Sequence, residues 1–329
     1  MATDTVTADF ANAFQEHRAD LLRHCYRMVG CFADAEDLVQ DTLLRAWHSR
    51  YTYASDAPLR HWLMRIATNV CLNVLERQRP RRFPQLDLDA VTAGIPLEEL
   101  EAAHWITPAP DAQLFSRPDV ALDAREQVSL AFVALLQRLP PKQRAAFLLK
   151  DVVGWSAQEI AEALELTLSS VNSALHRARE TMAAVPSRPF GDPPADILRE
   201  YLRCWEEHDL NGLVALMRHD IAFAMPPFAT WFRGTAAVRG FLESPRFAAF
   251  WRMGLAALMT RANGLPAFAW YSRASDRAWR LHSLHVMRFE AATLAEATNF
   301  IGSHYLHGFE VPEQLPSVPS RQEVMKKIR

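Results

Sequence analysis

The chain has 329 residues, half of them hydrophobic, with 36 Lys and Arg against 38 Asp and Glu for a net charge of −2. That length and apolar content exclude wholesale disorder and predict two or three folded domains. A near-neutral mean excludes a uniformly basic nucleic-acid binder, and there is no basic-then-apolar leader and no apolar run of membrane-spanning length, so a cytoplasmic protein without membrane contact is expected.

Residues 8–79 show helical periodicity with breaks near Gly30 and over residues 51–58. On the helix through residues 34–48, Ala35, Leu38, Val39, Thr42, Leu43, Ala46 and Trp47 form one apolar stripe, leaving Asp34, Asp37, Gln40, Asp41, Leu44 and Arg45 on the other side. A breaker-rich loop with Tyr51, Tyr53, Ser55 and Asp56 follows, then a helix from Leu59. Trp62 lies on the apolar stripe of that helix with Leu63, Ile66 and Val70, which favours core packing for it. Arg60, Arg65, Arg77, Arg79, Arg81 and Arg82 face only Glu76 over residues 60–82, whereas residues 83–126 hold nine acids against two arginines. A basic element suited to phosphate is followed by an acidic tether, an asymmetry that the mean charge conceals.

Residues 83–118 carry scattered prolines and acids and read as a linker with at most short helical turns near residues 96–103. Residues 119–182 are helical again. Ser156 and Glu159 make a capping box, Glu165-Leu166-Thr167 a turn, and Thr167 caps the next helix. There Val171, Leu175, Ala178 and Met182 step inward, leaving Ser169, Ser170, Asn172, Ser173, His176, Arg177 and Arg179 outside. Short polar residues near a helix N-terminus with arginines behind suit a major groove, and Lys142, Arg144 and Lys150 are placed to hold the backbone.

After a second Pro/Gly cluster at residues 186–194 the period changes. One or two helices are expected over residues 195–217, a strand at 221–225, a short helix at 234–242, and strands at 255–261, 267–271, 279–288 and 294–301. This is an α+β pattern of a bent sheet around helices. Cys25, Cys31, Cys71 and Cys204 lack CxxC spacing and read as buried reduced thiols; no metal and no cofactor is expected.

The segments Asp34–Trp47 and Leu139–Arg144 with Gly154–Ala161 resemble regions 2 and 4 of an extracytoplasmic-function (ECF) sigma factor of the sigma-70 family. Residues 195 onward resemble the SnoaL-like branch of the NTF2-like cone fold, on Asp220–Pro227, Trp231–Val238, Ala262–Phe268 and Asn299-Phe300. The resemblance implies a multidomain protein: two all-α sigma domains (region 2 at 8–82, region 4 at 119–185), the acidic linker at 83–118, and an α+β SnoaL-like domain at 195–315. It implies core RNA polymerase as partner through the clamp helices and flap, and promoter DNA as target. Asp37, Gln40, Asp41, Leu44 and Arg45 would dock on the polymerase. Tyr53, Ser55, Asp56, Arg60, Arg65, Asn69, Asn73, Arg77 and Arg79 would serve the −10 element, and Lys142, Arg144 and the outward face of residues 169–179 the −35 element. Family members often carry Lys and Arg at the positions of Asn172 and Ala174, so the −35 preference is not transferable. The linker, with His104–Asp111, would thread polymerase channels or act as a plain spacer.

For the last domain, Trp205, Met225, Phe228, Trp231, Phe241, Trp251, Tyr271, His285 and Asn299 are the candidate lining of a cavity for a small apolar ligand. Asp220 sits at a strand mouth and Asp276 in a polar hairpin, so a regulatory domain is expected rather than an enzyme. Two other readings stay open: an isomerase, cyclase or hydrolase tethered to a DNA-binding half, and a plain helix-turn-helix regulator. The need for an anti-sigma factor is undetermined.

Overall fold

The computed structural model describes residues 2–53, 58–90, 99–115, 122–183, 191–273 and 278–325. They form two units: residues 1–81, 112–120 and 130–187, and residues 82–111, 121–129 and 188–329.

In the first unit α1 (Ala2–Val29), α2 (Phe32–His48) and α3 (Leu59–Leu75) pack on one another. Gly30, at φ +73°, closes α1 in the left-handed conformation that glycine adopts without a Cβ penalty. Leu22, Cys25, Tyr26, Phe32, Ala35, Leu63, Ala67 and Cys71 fill the interior. Each large side chain so buried contributes about 2 kcal/mol. All four cysteines are buried free thiols.

Three short helices follow: α4 (Pro84–Asp87), α5 (Asp111–Leu114) and α6 (Leu122–Glu126). The first unit then resumes with α7 (Leu130–Gln137) and α8 (Pro141–Phe147), the latter continuing through a π-helical turn at Leu148–Val152. It ends with α9 (Ala157–Leu164) and α10 (Leu168–Ala183).

The second unit holds α11 (Ala195–Glu206) and α12 (Leu210–Ala215), then β1 (Met217–Ala224) and β2 (Trp231–Arg233). α13 (Thr235–Leu242) and α14 (Pro245–Trp251) precede β3 (Leu255–Ala262), β4 (Leu265–Arg273), β5 (Trp279–Glu290) and β6 (Thr293–Ile301). β7 (Gln314–Leu315) and α15 (Arg321–Met325) complete it. The sheet order is β2-β1-β6-β5-β4-β3, with β7 on β5. β1 and β6 run parallel and the other pairs antiparallel. α11 lays Leu198, Tyr201, Leu202 and Trp205 onto the concave face, where they join Phe223, Phe268, Trp270 and Met287 in one core. The expected strands are present; β2, β7, α4, α5, α14 and α15 were not anticipated, being too short for periodicity to register. Among the described residues no helix is long and apolar enough to cross a membrane.

Candidate functional site

α2 sorts its residues by face. Ala35, Leu38, Val39, Thr42 and Ala46 are buried, and the Thr42 hydroxyl is satisfied by donating to the Leu38 carbonyl at 2.7 Å. Asp37, Gln40, Asp41, Leu44 and Arg45 are all exposed, Leu44 by 56%. This face therefore sets one exposed apolar side chain among two carboxylates, an amide and a guanidinium. Asp34 stands apart, paired with Arg81 at 2.7 Å.

On α3, Arg65, Asn69 and Asn73 are exposed at four-residue intervals and so share one face, with Arg77 and Arg79 exposed beyond the helix. Trp62 is buried, and Tyr53 is half-buried with its ring 5.3 Å from it. Ser55 and Asp56 lie outside the described residues. Arg60 is paired with Asp20 at 2.8 Å, which leaves it less free for phosphate than expected. Tyr51 is 81% exposed, and the Arg50 guanidinium stacks on its ring at 4.2 Å and on Trp47 at 4.1 Å. This exposed cation–aromatic cluster offers a stacking platform for an unpaired base. The Trp47-x-x-Arg50-Tyr51 run was its signal in the sequence, and Arg50 was missed.

The helix-turn-helix is built as expected. Ser156 Oγ accepts from the Glu159 amide at 3.2 Å, and Glu159 Oε2 accepts from the Ser156 amide at 2.7 Å. Glu165 takes the turn at φ 54°, and Thr167 Oγ1 accepts from the Ser170 amide at 3.1 Å. Val171, Ala174, Leu175 and Ala178 face inward. Ser169, Ser170, Asn172, Ser173, His176, Arg177 and Arg179 are exposed, as is Lys142. Arg179 is held by Asp151 through bonds of 2.8 and 3.2 Å.

Arg144 departs from the expected placement. It is 1% exposed, so its guanidinium lies in the interior of the unit and not in solvent. Its guanidinium donates to Gln137 Oε1 at 2.7 Å, to the Gln137 and Leu139 carbonyls at 3.1 Å, and to the Met28 carbonyl. Gln137 Nε2 donates in turn to the Arg27 carbonyl at 3.2 Å, so α7 and α8 are fastened to the end of α1. Burial lowers the Arg144 pKa to about 10. Beside this contact the His61 ring on α3 lies 5.1 Å from Trp155 and 3.7 Å from the Glu159 carboxylate.

In the second unit the linker is hydrogen-bonded to the C-terminal domain over much of its length. Leu100 N and Trp105 Nε1 both donate to the Pro227 carbonyl at 3.0 Å, and Trp231 Nε1 donates to the Leu88 carbonyl at 2.9 Å. Gln85 Nε2 donates to Thr298 Oγ1 at 3.1 Å. Asn263 Nδ2 donates to the Val128 carbonyl at 2.7 Å. Asp111 accepts from the Gly264 amide at 2.7 Å and pairs with Arg261 at 3.2 Å, while burial pushes its carboxyl above the usual range.

Inside the sheet lies a cavity of about 150 Å³. Trp205, Phe223, Met225, Phe241, His285 and Asn299 form its buried part; Phe228, Phe247, Phe250, His282 and Ile301 are half-buried around it. Tyr201 Oη and His285 Nδ1 are 3.1 Å apart, and burial holds the His285 pKa well below its ordinary value. Trp205, Met225, Phe228, Phe241, His285 and Asn299 therefore meet as expected. Trp231, Tyr271 and Trp251 do not line the cavity: their polar atoms bond to the Leu88, Pro312 and Leu242 carbonyls. His282 was missed because a register shift on β5 pairs Ser283 with Trp270 and Leu281 with Tyr271. That bulge inserts His282 between them and turns its ring toward the same side as His285. Among the described residues no carboxylate lines the cavity. Asp220 is instead paired with Arg218 at the surface, which lowers its pKa to about 2; Asp276 lies outside the described residues.

The chain matches the family models for sigma-70 region 2 over residues 13–81, sigma-70 region 4 over 129–182, and the SnoaL-like domain over 198–297. It is 36% identical over 324 residues to the ECF RNA polymerase sigma factor SigG of Mycobacterium tuberculosis, covering 95% of this chain and 86% of that protein. It is 29% identical over 238 residues to SigJ of the same organism, covering 71% and 70%. The crystal structure of the M. tuberculosis extracytoplasmic function sigma factor SigJ superposes with a TM-score of 0.59 at 20% identity, covering 92% of this chain and all of that one, and so shares its fold.

Proposed function

The chain belongs to the ECF sigma factors of the sigma-70 family, which bind core RNA polymerase and direct it to promoters, and from that premise we propose how its surfaces divide the work. Residues 8–82 dock on the polymerase clamp helices through Asp37, Gln40, Asp41, Leu44 and Arg45. The Arg65, Asn69, Asn73, Arg77 and Arg79 face, with the Tyr53 loop, engages and melts the −10 element. Residues 119–185 engage the flap and read the −35 element through Asn172 and the serines of α10, with Lys142, Arg177 and Arg179 on phosphates. The exposed ridge on α2 is the observation that carries this reading, because a plain helix-turn-helix regulator has no use for it.

Promoter engagement requires the first unit to open. The two elements lie about 25 base pairs apart, or roughly 85 Å at ~3.4 Å per pair. A packed body of about 150 residues is only about 40 Å across. The Arg144 and His61 contacts therefore belong to the chain before it binds DNA, and polymerase must separate α1 and α3 from α7–α9.

Residues 195–315 act as a regulatory domain, not as an enzyme. They hold the linker of residues 83–118 that joins the two sigma domains, and so govern how far those domains part. The protein works in the cytoplasm, where core polymerase is. Run-off transcription by purified core enzyme from a cognate promoter tests the assignment: no gain on adding the full chain refutes it. Deleting residues 195–315 is expected to change the yield in that assay.

A further inference from the structure

The segment Met225–Phe228 belongs to two structures at once. Met225 and Phe228 line the cavity, while the Pro227 carbonyl between them takes both linker donors, Leu100 N and Trp105 Nε1, at 3.0 Å. On the neighbouring strand β6, Asn299 and Ile301 line the cavity, and Thr298 beside Asn299 accepts from Gln85 of the linker. The Ile301 amide closes the ring by donating to the Pro226 carbonyl at 2.7 Å. A body filling the cavity thus presses on Phe228 and Asn299, each one residue from the acceptor of a linker hydrogen bond.

The lining states what that body is. Trp205, Phe223, Phe228, Phe241, Phe247 and Phe250 present ring faces and edges, the surroundings in which a flat aromatic packs best. A largely apolar cavity of about 150 Å³ takes a benzene-sized ring. Asn299 is 2% exposed and its Oδ1 has no hydrogen-bond partner, and neither has His282 Nδ1. Both belong to the wall of the cavity. A buried acceptor left bare costs about 1–3 kcal/mol, so Asn299 Oδ1 calls for a ligand O–H or N–H. Among the described residues no ionised side chain lines the site, and an ion entering it would lose hydration without a countercharge.

We propose that this cavity is a receptor site for a neutral single-ring aromatic molecule bearing one hydrogen-bond donor, of the phenol class, and that its occupancy is transmitted to the linker through Met225–Phe228. The proposal rests on the reading of residues 195–315 as a regulatory domain that holds the linker.

The test uses the purified full chain without polymerase, so its failure is separate from any failure in transcription. p-Cresol is titrated by calorimetry and by the fluorescence of Trp205 and its neighbours, with toluene and benzoate as comparisons. Saturable p-cresol binding is expected, about tenfold tighter than toluene from the one added hydrogen bond. Benzoate is expected not to bind. Asn299→Leu should lower p-cresol affinity about tenfold while leaving toluene unchanged, which also reports that the cavity is intact; if that variant does not fold, the three-ligand series on the native chain decides. Saturating p-cresol should alter hydrogen exchange at the Leu100 amide and the Trp105 indole. Absence of saturable p-cresol binding, or equal binding of benzoate, overturns the site; binding with unchanged exchange in the linker overturns the transmission.

Discussion

Asn263 and Ala109 exchange two hydrogen bonds of 3.0 Å, the Asn263 amide donating to the Ala109 carbonyl and the Ala109 amide donating to Asn263 Oδ1. Asn263 and Gly264 form the two-residue turn between β3 and β4, with φ values of +55° and +78° that suit the Asn-Gly pair of a tight hairpin. The turn therefore does two things: it closes the hairpin, and it grips the linker from the side chain and the backbone of one residue.

Asn263→Ala tests that grip. It leaves the buried Ala109 N–H and Val128 carbonyl without their partners and places alanine in a left-handed conformation, at a combined cost of roughly 3 kcal/mol or more. Exchange of the Ala109 amide should accelerate about a hundredfold, read by hydrogen–deuterium exchange. Unchanged protection would show that the linker is held elsewhere.

The α2 ridge is tested by charge reversal. Asp37→Arg with Asp41→Arg should weaken association with core polymerase at least tenfold without changing thermal stability, because both side chains are exposed. Pull-down or fluorescence anisotropy with core enzyme gives the first quantity and a melting curve the second. Full affinity in the double variant removes the ridge from the interface.

Arg144→Met separates a structural from a DNA-binding role. Removing a buried cation that serves four acceptors leaves those carbonyls bare and should cost about 3–5 kcal/mol, seen as a lower urea midpoint. Arg144→Lys should not restore it, since one ammonium cannot reach acceptors placed for a planar fork. A stability-neutral loss of promoter affinity would instead put Arg144 on the DNA.

His24 predicts a pH dependence. It is fully buried between α1 and α3, 2.9 Å from Thr68 Oγ1, and burial together with Arg27 and Arg60 lowers its pKa from 6.5 to about 3. The folded state thus keeps the ring neutral while the unfolded chain protonates below pH 6.5. Stability is full above that value and is lost as pH falls toward 3. About 2 kcal/mol should disappear between pH 6.5 and 5. His24→Gln should flatten that stretch of the urea-midpoint profile, and an identical slope in the variant would assign it to other groups.

On α10 the two kinds of DNA contact should separate. Arg177→Ala is expected to weaken promoter binding by the holoenzyme on all sequences and reduce the salt slope by about one ion. Asn172→Ala should cost about 1–3 kcal/mol on the preferred −35 sequence and little on others. Binding measured across salt concentrations and −35 variants distinguishes them.

The sequence by itself determined the elements whose signals are local. The buried stripe and exposed ridge of α2 follow from spacings of three and four residues, and the Ser156 capping box and the Thr167 cap from residues three apart. The alternating strands of the last domain are equally local, and so these features were legible. Tertiary structure alone decided the rest. The arginine at position 144 reads as a DNA contact until Gln137 and the end of α1 close over it. His282 would alternate to the face opposite His285 along a regular strand, and a bulge on β5 brings both to the cavity. The proline-rich linker reads as a spacer because its partners, Asn263 and Pro227, lie more than a hundred residues along the chain. Its hydrogen bonds depend on where a distant hairpin and loop come to rest, and such long-range pairing leaves no periodicity in the sequence from which to read it.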